Sequence, residues 1–156
     1  RHGDTFYDVV RSMPKGSRAV AVDLPGAIWG RSSSKKSLRA CCKKLQRLGY
    51  NVTLIFGDST SEQVIESVRK HGPFDLALID GDHRYDGVKK DWENYGPMCK
   101  VAAFHDIVGD GICDKRTGAP VEVTKLWQEL KAQNWPYYAE YVGVGSGMGI
   151  GAIWRG

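Results

Sequence analysis

The sequence predicts an α/β domain built on a mostly parallel sheet and closed by an antiparallel hairpin. Three observations carry this reading. Apolar runs of strand length, such as residues 74–79, lack the polar alternation of a half-exposed strand, which is the pattern of strands buried on both faces. Segments with apolar residues at helical spacing separate these runs, so strands and helices alternate as a parallel sheet requires. The last two strand-like runs are joined by a short glycine-rich link, which suits an antiparallel pair. At 156 residues and 42% hydrophobic content the chain can bury one core, and a single domain over 1–156 is expected.

In chain order, residues 5–13 form a short helical pattern with Phe6, Val9, Val10 and Met13 on one side, ended by Pro14 and Gly16. Residues 18–24 are a strand that finishes on Asp23, and Pro25-Gly26 turns the chain away. A polar loop at 30–34 leads to a helix over 37–48, where Leu38, Cys41, Cys42, Leu45 and Leu48 oppose lysines and arginines and Gly49 is the stop. Residues 51–56 are a second strand, ending in Gly57-Asp58-Ser59-Thr60. Ser61 then opens a helix that runs to His71-Gly72-Pro73. The third strand, 74–79, stops at Asp80-Gly81-Asp82-His83, and a helix follows over 85–95. A fourth strand over 101–104 ends in His105-Asp106, and a loop from Val108 to Pro120 is long enough to wall an active site. A helix over 121–132 and strands over 137–142 and 148–154 complete the chain. Trp92, Trp127, Trp135 and Trp154 read as core or rim packing.

Composition narrows the function. The net charge of +4 is modest, and the basic run within 31–44 reads as the solvated face of a helix, giving no argument for nucleic acid. Four cysteines without a CxxC pair indicate neither a zinc site nor a disulfide framework, and a reducing, cytoplasmic setting fits them. No apolar stretch approaches the ~18 residues of a membrane span, so no membrane partner is expected. The chemistry is concentrated at the strand ends, where open α/β sheets place ligands.

Four strands ending in or just before Asp23, Asp58, Asp80 and Asp106, followed by the terminal hairpin, resemble a class I S-adenosylmethionine-dependent methyltransferase. The segment Ile79-Asp80-Gly81-Asp82-His83 with Tyr85 and Gly87, and Phe104-His105-Asp106 at the next strand end, resemble the small-molecule O-methyltransferases within that class. The resemblance implies a three-layer Rossmann-like methyltransferase sandwich and transfer of a methyl group to a hydroxyl of a small molecule or sugar. It also implies a strand preceding the first helix. Residues 1–6 are similar to the tail of the glycine-rich turn after that strand, and the strand itself is absent from the sequence.

Several residue roles follow from the resemblance. Asp23, an acceptor-only carboxylate, would receive the ribose diol of the cofactor, with Leu24 against the adenine. Asp58 and Ser59 would sit beside the adenine, although Gly-Asp-Ser is equally a turn and helix start. Gly3 would let the backbone approach the methionine part. Asp80, His105 and Asp106 could hold a divalent ion, with oxygen ligands suiting Mg2+ or Mn2+ and the imidazole tilting the choice away from magnesium. Asp80 could instead hold the cofactor's ammonium group. His83 lies where relatives carry a basic residue near the reacting hydroxyl, and imidazole is the side chain that exchanges protons near neutral pH. Trp29 and the loop after Asp106 would wall the substrate.

Two other readings use the same residues. A metal-dependent hydrolase, or a hydroxylase-like enzyme on this fold, would employ Asp80, Asp82, His83, His105 and Asp106, since fold alone does not dictate methyl transfer. A non-catalytic scaffold would need none of them. A small-molecule acceptor is the expected partner, together with association into a homo-oligomer because an unpaired central strand edge favours it.

Overall fold

The computed structural model describes residues 3–29, 34–109, 112–114, 117–143 and 148–156. Contacts divide the chain into two compact units, residues 1–71 and 72–156, each with its own sheet and core.

The first unit contains α1 (Asp4–Ser12), β1 (Arg18–Asp23), α2 (Lys35–Arg47), β2 (Asn51–Phe56) and α3 (Glu62–Arg69). Strands β1 and β2 pair in parallel from Arg18↔Asn51 to Asp23↔Phe56, so their C-terminal ends share one edge. Helix α2 begins two residues before the expected start because Ser34 caps it, accepting from the Ser37 amide while Ser37 reciprocates. Much of the expected 30–34 loop lies outside the described residues. Gly49, at φ 89°, ends α2 in the left-handed conformation that glycine adopts without penalty. Val10, Cys42, Leu45, Tyr50 and Val52 are buried together, with Cys41 and Leu48 packed against them, as the helical spacing of the sequence implied.

The second unit contains β3 (Phe74–Ile79), α4 (Tyr85–Tyr95), a 3-10 turn (Gly96–Met98), β4 (Cys99–His105), α5 (Val123–Lys131), β5 (Tyr137–Val142) and β6 (Gly149–Trp154). Its sheet has the order β3-β4-β6-β5. Strand β4 is parallel to β3, with Ile79 opposite Phe104, whereas β6 runs antiparallel to both β4 and β5. The expected terminal hairpin is therefore present, and β6 inserts between its partner and the parallel pair. The core gathers Ile79, Val88, Phe104, Trp127, Leu130 and Ile153. Phe104 and Trp127 are 0% and 1% exposed, and burial of each large side chain contributes roughly 2–3 kcal/mol. Trp92 tilts on Phe104 at 5.6 Å and meets Trp135 edge-on at 5.7 Å, so these tryptophans are packing elements. Trp154 lies at the rim against Tyr137.

The sheet is thus seen as a parallel pair and a mixed four-stranded sheet. In the described residues β1, β2, β3 and β5 each have one edge without a partner strand.

Candidate functional site

Strand β3 delivers Asp80 and strand β4 delivers His105 and Asp106 to the same C-terminal edge, because the two strands are parallel and in register up to Ile79 and Phe104. Between β3 and α4 the chain makes a tight turn. Asp82 accepts from the Arg84 amide at 3.0 Å and pairs with its guanidinium at 2.5 Å, which folds the turn and points Arg84 outward. Gly87 is required here, since a Cβ would lie 2.4 Å from the Asp82 carboxyl carbon. This turn carries His83 back over the strand ends.

Four titratable side chains meet there. His83 Nδ1 lies 2.7 Å from Asp106 Oδ2, and His105 Nδ1 lies 2.9 Å from Asp106 Oδ1. Asp80 Oδ1 stands 3.5 Å from both His83 Nε2 and His105 Nδ1. These two short contacts are ion pairs when the imidazoles carry their second proton. Burial works against the negative charge of Asp106, yet the imidazoles of His105 and His83 outweigh it and hold this carboxyl far below the usual carboxylate range. His105 is raised by its contact with Asp106, against the opposing effect of burial. Asp80 shifts the other way: burial raises it, and the neighbouring imidazoles pull it back only in part. Its side chain keeps 31% exposure, so it forms the outer rim of the cluster while Asp106 lies beneath.

Asp106 has a backbone feature that sequence did not reveal. At φ 61° it is the one non-glycine residue with positive φ among the described residues. Such a conformation is costly outside glycine and recurs where surrounding contacts force a side chain into a working position.

Two further residues hold the site and were not singled out in the sequence. Glu122, just before α5, accepts from the Tyr85 amide at 3.0 Å through its carboxylate and donates its own amide to the His83 carbonyl at 2.7 Å. It therefore clasps the His83 turn at both ends and satisfies a donor at the start of α4. Asp91, inside α4, is 5% exposed, and its carboxylate approaches Gly81 so closely that a Cβ there would lie 3.0 Å from Oδ2. A buried acid in a helix has no local sequence signature; only the fold shows that it lies beside the Asp80 turn.

The cofactor-binding candidates lie mainly in the first unit. Asp23 ends β1 and Leu24 follows it with 46% exposure, both at the edge where β2 ends. Asp58 accepts from the Thr60 amide and hydroxyl, each at 2.8 Å, so its Oδ1 serves the turn that starts α3. Gly3 caps α1 at φ 89° and is buried, and a Cβ would lie 3.0 Å from the Cys41 sulfur, which gives that glycine a packing reason of its own. The loop after Asp106 is described only in part, including a bridge between Cys113 and Pro120.

A family described as a methyltransferase domain matches residues 2–107, which include Asp23, Asp58, Asp80, His83, His105 and Asp106. The chain belongs to this methyltransferase family. The fold of this methyltransferase domain is similar to that of MycE methyltransferase from the mycinamycin biosynthetic pathway, solved in complex with Mg and SAH. Crystal form 2 aligns with a TM-score of 0.50 at 13% identity, covering 99% of this chain and 48% of that one. Crystal form 1 gives 0.49 at 14% identity, covering 99% and 49%. The domain thus spans about half the length of those structures. No curated protein matches it.

Asp106 Oδ2 and Oδ1 face imidazole nitrogens at 2.7 and 2.9 Å, and among the described residues no group of three or more His, Cys, Asp or Glu is arranged to hold a metal. The His105 imidazole beside two carboxylates makes this a softer donor set than the all-oxygen shell that magnesium prefers.

Proposed function

We propose that the domain transfers a methyl group from S-adenosylmethionine to a hydroxyl of a small molecule, with His83 as the general base. The observation that carries this reading is the convergence of His83 with Asp80, His105 and Asp106 at the strand ends of a methyltransferase fold. Cofactor identity is supported by MycE, which was solved with SAH, the product left when S-adenosylmethionine gives up its methyl group. The residues of this chain suit that cofactor: Asp23 at the end of β1 offers an acceptor-only carboxylate for a diol, and Leu24 beside it offers an apolar surface.

The cofactor supplies an electrophilic methyl on a sulfonium. What the protein must add is a deprotonated nucleophile held in line with that methyl. His83 would take the proton from the acceptor hydroxyl. Asp80, at the exposed rim and 3.5 Å from His83 Nε2, would orient the acceptor or hold the cofactor's ammonium. The resulting positive imidazole would be balanced by the charge of Asp106.

Calorimetric titration with S-adenosylmethionine, with chelator and then with Mg2+ or Mn2+, tests the reading. Binding in the chelated buffer is expected. Asp23→Ala should weaken it by roughly tenfold or more, the cost of losing hydrogen bonds to a charged acceptor. No binding by a folded chain in any buffer would overturn methyl transfer for these residues, and a strict requirement for added ion would restore a metal role for Asp80, His105 and Asp106.

A further inference from the structure

Strand β5 ends the order β3-β4-β6-β5, so one of its edges has no partner among the described residues. Alternation sorts its side chains between the two faces of the sheet. Tyr138 and Glu140 turn toward α5: Tyr138 meets Trp127 edge-on at 6.4 Å, and the Glu140 carboxylate accepts from Trp127 Nε1 and from Lys131 Nζ. Tyr137, Ala139 and Tyr141 share the other face with Trp154, Ala152 and Ile150, their partners on β6. That face stays in water, with Tyr141 76%, Tyr137 59%, Ile150 41% and Trp154 37% exposed.

Open strand edges are normally blunted by lysine, proline or an outward charge. The sequence of β5, Tyr-Tyr-Ala-Glu-Tyr-Val, contains no lysine or proline, and its one charge is drawn off by α5. It is rich instead in the aromatic residues that favour strands. The strand is also complementary to itself. A two-fold axis through the open edge sets β5 antiparallel to its own copy and keeps the same faces of both sheets on one side. Centred on Glu140, this pairing would bring two carboxylates directly opposite each other, which is destabilising. Centred on Ala139, it sets Tyr137 opposite the partner's Tyr141 on both sides of the axis, places the small Ala139 against its counterpart, and puts Glu140 opposite the partner's Tyr138. Charge therefore selects the register. In that register the pairs Tyr137–Trp154 and Tyr141–Ile150 become continuous rows across the axis, so the large side chains now in water acquire neighbours.

We propose that β5 is the interface of a symmetric dimer, in which the two copies pair antiparallel about Ala139 and their four-stranded sheets become one. The occupant of this edge is a second copy of the chain, and the contact does not depend on methyl transfer.

The test uses charge at the axis. In Ala139→Lys and in Ala139→Glu two like charges face each other, and each variant should dimerise roughly tenfold or more weakly than the parent in sedimentation velocity. An equimolar mixture of the two should recover the dimer, because opposite charges then meet. Ala139→Cys, nearly isosteric and made with Cys113→Ser to remove the exposed thiol, covers the case in which a charge at 139 disturbs folding. Directly opposed strand residues have Cα atoms about 4.5–5.5 Å apart, within disulfide reach, so mild oxidation should link this variant as a dimer. Val142→Cys in the same background should stay unlinked, since its two copies would lie about 20 Å apart along the strands. A parent chain that is monomeric at every concentration would overturn the proposal. Self-association that both charged variants retain in full would overturn it too, locating the contact on the open edges of β1, β2 or β3. The same holds for linkage as ready at 142 as at 139, or for a mixture that stays dissociated while the cysteine at 139 fails to link.

Discussion

Asp106 and His105 make opposite demands on pH. Contact with Asp106 raises His105, so its stabilisation is complete below the ordinary histidine value of about 6.5 and is lost as pH rises through the folded-state value. Asp106 is depressed, so its contribution is present above the ordinary aspartate value of about 3.9 and is lost as pH falls toward the folded-state value. Asp80, raised by burial, runs against Asp106 and contributes less as pH rises. The pair is therefore strongest between about pH 4 and 6.5. Urea unfolding of the parent chain and His105→Gln should show the largest gap in stability near pH 5–6 (approximate) and a closing gap at higher pH. A gap independent of pH would remove the pairing. The acids and imidazoles of this network were legible in the sequence because each ends an apolar run. Their connectivity was not, because it depends on the left-handed turn at Asp106, and nothing local in Phe104-His105-Asp106 distinguishes that turn from an ordinary strand exit.

At the scale of elements the same contrast recurs. The limits of β2, β3, α4 and β5 agree with the sequence pattern, since each is bounded by glycine, proline or an abrupt polar change. Strand β4 begins two residues earlier than its apolar run, at Cys99, because pairing with Phe74 extends it. Long-range clasps were invisible, and Glu122 is the clearest case. Replacing Glu122 by Ala removes the carboxylate that receives the Tyr85 amide and should cost about 1 kcal/mol, as loss of a helix-start acceptor does. Hydrogen exchange should show the Tyr85 amide opening faster in this variant, while amides of α1 are unchanged; equal exchange at Tyr85 would dismiss the clasp. Gly151 in β6 offers a second test. A Cβ there would lie 2.5–2.6 Å from the Trp127 ring, which is 1% exposed and cannot withdraw. Gly151→Ala should destabilise by about 1–3 kcal/mol in urea unfolding, the cost of overpacking a filled core, and a neutral result would mean that the α5–β6 contact is looser than described.

For the whole molecule the decisive fact is the state of the sheet edges. Parallel strands are ordinarily flanked and covered on both faces, and a pair standing alone has little to sustain it. Among the described residues β1 and β2 pair only with each other and β3 pairs only with β4, so each of these three strands has an edge with an unused row of backbone donors and acceptors. Apolar residues beside these rows remain in water: Leu24 is 46% exposed and Leu76 is 44% exposed. Backbone groups and apolar surface presented together are what a further strand requires, whether it comes from more of the same polypeptide or from another copy. For these 156 residues in solution the available occupant is another copy, and concentration-dependent self-association is expected in sedimentation velocity. Leu76→Lys places a charge on the exposed face of β3, where it opposes close approach of a neighbour without burying that charge in the core. The variant should shift the distribution toward monomer with the circular dichroism spectrum retained. A parent chain that stays monomeric at every concentration would show that these edges are satisfied within the monomer, and would remove the argument that the sheet awaits a strand.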